Sequence, residues 1–397
     1  MNAYENDISS HYSNLNEQNI KQRKDSKILF LRNFNNYLKQ ELINKYVNIL
    51  HQNGELKVLD LCCGKGGDIN KWHYVNPEIV VFVDIAKQSI EQCEKRYDAY
   101  LKKQQNKKTY KAYFIHADCC EVNLKEKFFQ QGIDVNIQFN IVSCQFALHY
   151  AFQSLPRLKQ MLLNATQNLS DYGFFLGSMT DAFKLMKLLK ELPVQNVAIN
   201  SPKSCYQFKN DICCITFDHP TFAQYKNCHS NINNFDQTSL NSINNPSPKI
   251  ANNGDKKSFQ EVIVPPLVGA NLSFYLDERV DCTEFLAYFP FLKRLLQDKF
   301  SMMCVLSYNF HEFYFKHQIN FDLAERMKIY QEFNIYDTSE DDEFRHVRLL
   351  LEKIAKRNDE IPHLHTISKS EWQVIGCYMM FAFRKIPPKP LKKKPIV

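Results

Sequence analysis

Residues 58–68 read VLDLCCGKGGD, and no other stretch constrains the fold as tightly. Apolar residues and an acid run as a short strand into a turn with glycines at 64, 66 and 67, and a helical pattern follows. A strand, a bare turn and a helix form an anion and nucleotide site, because a ligand can approach the backbone and the helix N-terminus presents unpaired N–H groups. Two better-known loops fail here. The phosphate loop needs G-x-x-x-x-G-K-[ST], but Gly67 is followed by Asp68. The dinucleotide fingerprint G-x-G-x-x-G fails too, since Gly64 and Gly66 are followed by Gly67 and Asp68.

The acids around the loop point elsewhere. Asp60 closes the first strand, and a carboxylate there suits an ammonium or sulfonium group while repelling a pyrophosphate. Asp84 closes the second strand, where it can accept both hydroxyls of a ribose. Asp118 closes the third, within reach of an adenine amino group. Three acids at successive strand ends with one glycine loop fit S-adenosylmethionine. The bland competitor is a glycine turn with helix-capping aspartates.

Short apolar runs alternate with amphipathic stretches: KVLDL (57–61), IVVFVD (79–84), AYFIHAD (112–118), FNIVSCQF (139–146) and GFFLGSM (173–179). Strands separated by helices predict an α/β fold with a parallel sheet covered on both faces. Ahead of them, residues 15–50 place Ile28, Leu31, Leu38, Leu42 and Ile43 on one helical face, predicting one or two helices. A helix is expected near 181–191, then 191–271 reads as a variable insertion whose part 226–257, rich in Asn, Ser and Lys, is expected to be disordered. Order resumes over 272–300, with further strand candidates at 302–310 and 375–383, and residues 386–397 form a basic, proline-containing tail.

Composition excludes several classes. Thirteen cysteines occur with no C-x-x-C, and the odd count argues for reduced thiols and against a zinc site. A net charge of +7 leans towards polyanionic partners without the excess of a protein that coats nucleic acid. No apolar run approaches the roughly 18 residues of a membrane span. A soluble, intracellular protein is expected.

The stretches VLDLCCGKGGDINKW, FVDIAKQSIEQCEKRY, SCQFALHYAF, VDCTEFLAYFP and ISKSEWQVIGCYMMFAF together resemble the eukaryotic mRNA cap guanine-N7 methyltransferase family. The resemblance runs from HYSNLNEQNIKQ to Phe383, apart from 190–270. It implies a Rossmann-like class I methyltransferase: a mostly parallel seven-stranded sheet flanked by helices, with N-terminal helices and an inserted lid region. It divides the chain into a helical extension (1–50), a cofactor-binding core (51–190), the insertion (191–271), a cap-binding C-terminal part (272–385) and the tail. One departure stands out. The family usually has Gly where this chain has Cys62, so a side chain must clear the methionyl part of the cofactor.

By the same resemblance Lys39, Asp60, Cys62, Gly64, Asp84, Asp118, Gln145 and Tyr150 face S-adenosylmethionine, with Lys39 on its carboxylate. Asn35, Asn36, Lys65, Lys71, Arg96, His149, Glu284 and Tyr378 face the cap. Lys65, Lys71 and Arg96 would meet the triphosphate, and Glu284 would accept from the guanine N1–H and N2 amino group. Read without the resemblance, Lys71 and Arg96 are solvated helix charges, Glu284 a surface acid, Tyr378 a core residue and the Asn pair a turn. Guanine N7 carries an in-plane lone pair, so methyl transfer calls for positioning and electrostatics without a general base; His149 is accordingly expected to bind guanine. The resemblance also implies capped mRNA as substrate, a monomer in the nucleus, and the capping guanylyltransferase, RNA polymerase II and an activating subunit as partners. Two competitors stay open: a methyltransferase of this fold with another acceptor, and a scaffold that has lost its cofactor, at which Cys62 hints.

Overall fold

The computed structural model describes residues 25–50, 55–103, 109–192, 206–218, 220–222, 225, 265–317, 319–334, 342–355 and 363–387. The 226–257 segment and the tail beyond 387 lie outside the described residues. Strands β1 (Lys57–Leu61), β2 (Ile79–Asp84), β3 (Lys111–His116), β4 (Phe139–Gln145) and β5 (Leu169–Thr180) fall where the apolar runs predict them. The chain continues through β6 (Tyr206–Lys209), β7 (Cys213–Phe217), β8 (Asn271–Leu276), β9 (Val280–Phe285) and β10 (Met302–Asn309) to β11 (Gln331–Asn334), β12 (His363–Thr366) and β13 (Tyr378–Lys385).

The central sheet has seven strands in the order β10-β13-β5-β4-β1-β2-β3. Both neighbours of β13 pair with it antiparallel, so β13 alone runs against the other six. Side chains alternate across the sheet. Val58, Phe82, Ile141 and Leu176 enter one apolar layer, while Leu59, Val83, Val142 and Phe175 enter the other. The helix Leu29–Leu50 buries Leu31, Leu38, Leu42 and Ile43 in the first layer, as its spacing predicts, and Leu158, Leu162, Leu292 and Leu296 cover the opposite face. Fully burying such side chains contributes about 1.5–3 kcal/mol apiece.

The chain steps outward from β1 to β2 and β3, then returns beyond β1 as β4 and β5. The crevice at the carboxyl ends of β1 and β4 is therefore the topological switch point, where ligands bind in open α/β sheets. A second, antiparallel sheet, β6-β7-β8-β9, was not anticipated. Its β6 and β7 come from the part of the chain read as a variable insertion, and they pack Ile215, with Leu272 and Phe274 from β8, into the same layer as the N-terminal helix. Residue 284, on β9, reaches the crevice from this sheet.

Candidate active site

The loop after β1 owes its shape to three left-handed residues, Cys62 (φ 56°), Gly64 (φ 53°) and Gly66 (φ 73°). A Cβ at Gly66 would lie 2.5 Å from Ile69 Cδ1 and 2.9 Å from Cys93 Sγ, so this glycine lets the following helix pack. A Cβ at Gly64 or Gly67 would meet nothing within 4 Å. That face of the loop is open to a ligand. Asp84 organises it: its carboxylate accepts from the Gly64 and Ala86 amides, each at 2.8 Å. Burial pushes the Asp84 carboxyl up to about 7. Asp60 accepts from Trp72 Nε1 at 2.9 Å, and burial, with the nearby Asp68 charge, pushes it up to about 8.

Asp68, the last residue of the glycine motif, joins this loop to the N-terminal helix. Its Oδ1 lies 2.6 Å from Lys39 Nζ and 2.8 Å from Lys71 Nζ. Burial opposes ionisation of Asp68, but the two ammonium groups outweigh it and hold the carboxyl well below its usual range. Lys71 is only 5% exposed and also donates to Asn36 Oδ1 at 3.0 Å, so it is no solvated helix charge. Asn35 Oδ1 is buried with no hydrogen-bond partner among the described residues. Lys39 also lies 5.7 Å over the ring of Phe146.

The second wall begins after β4. Gln145 donates to Ser143 Oγ at 3.2 Å and accepts from Ser178 Oγ at 2.9 Å, which fixes its amide at the strand end. Phe146 takes a left-handed turn (φ 58°) and meets Tyr378 edge-on, ring centroids 4.9 Å apart. His149 and Tyr150 follow in a short 3-10 helix, Leu148–Gln153. Glu284 faces both: its Oε1 is 3.4 Å from His149 Nε2 and accepts from Tyr150 Oη at 3.4 Å. Its Oε2 is buried and has no hydrogen-bond partner among the described residues, as do both His149 ring nitrogens. Glu284 is 2% exposed and not a surface acid. Phe274, on the neighbouring strand β8, has its ring centroid 6.2 Å from that of Tyr378, so the sheet carrying Glu284 adjoins the start of β13.

The remaining predicted residues hold the edges. Asp118 accepts from the Cys120 amide at 2.7 Å and pairs with Arg157 at 2.8 Å. The Arg96 guanidinium donates to the Lys65 carbonyl at 2.7 Å, bracing the glycine loop from the helix Lys87–Lys103. Sequence reasoning assigned no role to Asp68, Phe146 or Arg157. Asp68 was legible as the acid that spoils the phosphate-loop pattern, while nothing local marks Phe146 or Arg157.

The lining fits the cofactor that the strand-end acids suggest through the Asp84 carboxyl at the end of β2, an open glycine backbone and a fixed amide at the end of β4; Asp60 instead turns to Trp72 and, its carboxyl raised to about 8, does not offer the anion expected beside a sulfonium. A family model described as "mRNA (guanine-N(7))-methyltransferase domain" matches residues 1–246 and 239–386. The chain belongs to this family. The mRNA cap guanine-N(7) methyltransferase of Drosophila melanogaster is 32% identical over 95% of this chain and 76% of its own length. That of Caenorhabditis briggsae is 33% identical over 96% and 86%, and a rice relative, mRNA cap guanine-N(7) methyltransferase 1, is 28% identical over 98% and 83%.

Proposed function

We propose that the crevice over β1, β2 and β4 holds S-adenosylmethionine and that the wall carrying Glu284 receives the guanine of an mRNA cap. The chain is an mRNA cap guanine-N7 methyltransferase; S-adenosylmethionine is its cofactor and capped RNA its substrate. The observation that carries the site assignment is Glu284 Oε2, a buried carboxylate oxygen with no donor among the described residues. Leaving such an atom unsatisfied costs about 1–3 kcal/mol or more, and the guanine N1–H and N2 amino group offer the two donors that would satisfy it.

Asp84 would take the ribose hydroxyls, the Gly64 and Gly67 backbone would let the cofactor approach, and Gln145 would border it. Lys39, near Asp68, would serve the cofactor carboxylate. When bound, S-adenosylmethionine supplies an electrophilic sulfonium methyl. Guanine N7 brings its own lone pair, so Glu284, His149 and Tyr378 need only hold the base in line, which orientation alone can reward with roughly 7–11 kcal/mol. Lys65, Lys71 and Arg96 would meet the triphosphate, Lys71 by exchanging part of its pair with Asp68 and Arg96 beside the Lys65 carbonyl that it holds. The capped 5′ end is the product of a guanylyltransferase acting on nascent transcripts; we place this chain in the nucleus beside that enzyme and RNA polymerase II.

Glu284→Ala tests the assignment. Transfer to GpppA-capped RNA is expected to fall by about 10²-fold or more, the scale of removing a buried charged partner, while affinity for S-adenosylmethionine by calorimetry stays within severalfold. Equal loss of both would move Glu284 off the guanine.

A further inference from the structure

Thr180 Oγ1 is buried with no hydrogen-bond partner among the described residues, as are Glu284 Oε2 and both His149 ring nitrogens. Thr180 is the last residue of β5, at the carboxyl end of the sheet where the crevice lies. Two registers fix which way it faces. It stands opposite Tyr378 in the antiparallel pair of β5 and β13, and residues directly opposed share a face of the sheet, their Cβ atoms roughly 5 Å apart. On that face the Tyr378 ring meets Phe146 at 4.9 Å and Phe274, from the sheet that carries Glu284, at 6.2 Å. Ser178, two residues back on β5, lies on the same face. Its Oγ donates to Gln145 Oε1 at 2.9 Å and accepts from the Phe146 amide at 3.1 Å. Along β5, therefore, Ser178 holds the residue proposed to border the cofactor, and Thr180 comes next, beside the wall proposed for guanine.

We propose that the Thr180 hydroxyl binds the acceptor base by donating to guanine O6. The inference rests on the reading of Glu284 as the partner of the guanine N1–H and N2 amino group. Round the edge of the base N7 is followed by O6, then by N1–H and the N2 amino group. With N7 turned to the cofactor beside Gln145 and the two donors on Glu284, O6 falls between them. That oxygen needs a donor, which an ionised carboxylate cannot be and a threonine hydroxyl is. His149 is the other candidate donor, but its Nε2 faces Glu284 Oε1 at 3.4 Å. Thr180, His149 and Glu284 are each only 1 or 2% exposed, so a base that reaches them is shielded from water. Held at Glu284 alone, the base could pivot in its plane; a second contact on the atom next to N7 fixes the direction of the attacking lone pair, and methyl transfer depends on that alignment.

The test compares the full chain with Thr180→Val, which removes the hydroxyl and keeps the branched shape, and with Thr180→Ser, which keeps the hydroxyl. Each is assayed on GpppA-capped RNA and on the same RNA capped with 6-thioguanosine, whose sulfur accepts hydrogen bonds weakly, or with inosine, which lacks the N2 amino group. In the wild-type chain the O6-to-sulfur change should lower kcat/KM by about 10-fold, the scale of leaving one buried group unpaired. Thr180→Val should lose about as much on the guanosine cap and nothing further on the 6-thioguanosine cap, while Thr180→Ser stays within severalfold of the wild type on both. Calorimetric affinity for S-adenosylhomocysteine should be the same in all three chains, which a general packing defect would not leave. Full activity of Thr180→Val on the guanosine cap would overturn the proposal, as would a wild-type chain indifferent to sulfur. A sulfur penalty that persists undiminished in Thr180→Val would overturn it too and hand O6 to His149. Inosine scores the underlying reading separately: a wild-type chain that methylates both caps equally would sink the place given to Glu284, while the sulfur comparison would still decide Thr180.

Discussion

Burial disfavours the charged forms of Asp60 and Asp84. Their carboxyls are pushed from an ordinary 3.8 to about 8 and about 7. Between those values the folded chain holds protons that the unfolded chain has released, so stability is greatest below about pH 4 for these two groups and falls as pH rises towards 7 and 8. Asp68 acts in the opposite direction, its folded carboxyl being depressed, and its contribution is lost only in acid below the ordinary 3.8. Urea midpoints of the cofactor-free chain should therefore decline from pH 5 to pH 8. Asp60→Asn, which keeps an acceptor for Trp72, should flatten that decline; an equally steep fall in the variant would remove Asp60 as its source. At this scale the sequence was informative. Strand-end acids were readable because a parallel sheet delivers them to one edge; the family's Gly at position 62 reads as room for the cofactor, whereas the φ of 56° shows that the backbone there also takes a glycine-type conformation. Phe146 was not readable, since its place over Tyr378 depends on β13, more than two hundred residues away.

Among elements, the N-terminal helix is tied to the glycine loop by Asp68 between Lys39 and Lys71. All three side chains are at most 12% exposed, so removing the acid strands two buried ammonium groups. Asp68→Ala is expected to destabilise the chain by about 3–5 kcal/mol, as other broken buried pairs do, and to weaken cofactor binding with it. Calorimetric unfolding measures the first effect; a loss under about 1 kcal/mol would mean the lysines find other partners or water. The amphipathic spacing of this helix was plain in the sequence. The β6-β7-β8-β9 sheet was not, although LSFYL alternates as a half-buried strand and Leu272, Phe274 and Leu276 are indeed its buried face. Its partner β7, with β6 beyond it, lies on the far side of 226–264, and pairing across so long an interval leaves no local signal.

For the whole molecule, the decisive element is β13. It lies between β5 and β10 and pairs with both along nearly its full length, with Phe381 and Phe383 fully buried. A chain ending at Cys377 would leave β10 without a partner and β5 paired on one side only, to β4, and such an open edge is not compatible with a packed parallel core. Loss of the cooperative thermal transition and of near-ultraviolet circular dichroism is expected; a retained sharp transition would show that β5 and β10 can close on each other. The central strands were legible as alternating apolar runs, but their order in the sheet and the placement of β13 as the single reversed strand were not, because both are set by how the chain travels and not by what a strand contains.

The two ends of the described chain also meet. The Leu31 amide donates to Glu371 Oε1 at 2.9 Å, across 340 residues, and Ser26 donates to Glu278 at 2.6 Å. Lys39 belongs to one end of the site and Tyr378 to the other. During translation, a ribosome must therefore have released nearly all of this chain before the pocket proposed for guanine has both its sides, so on that proposal a nascent or prematurely terminated polypeptide would not capture a cap and compete with the finished enzyme.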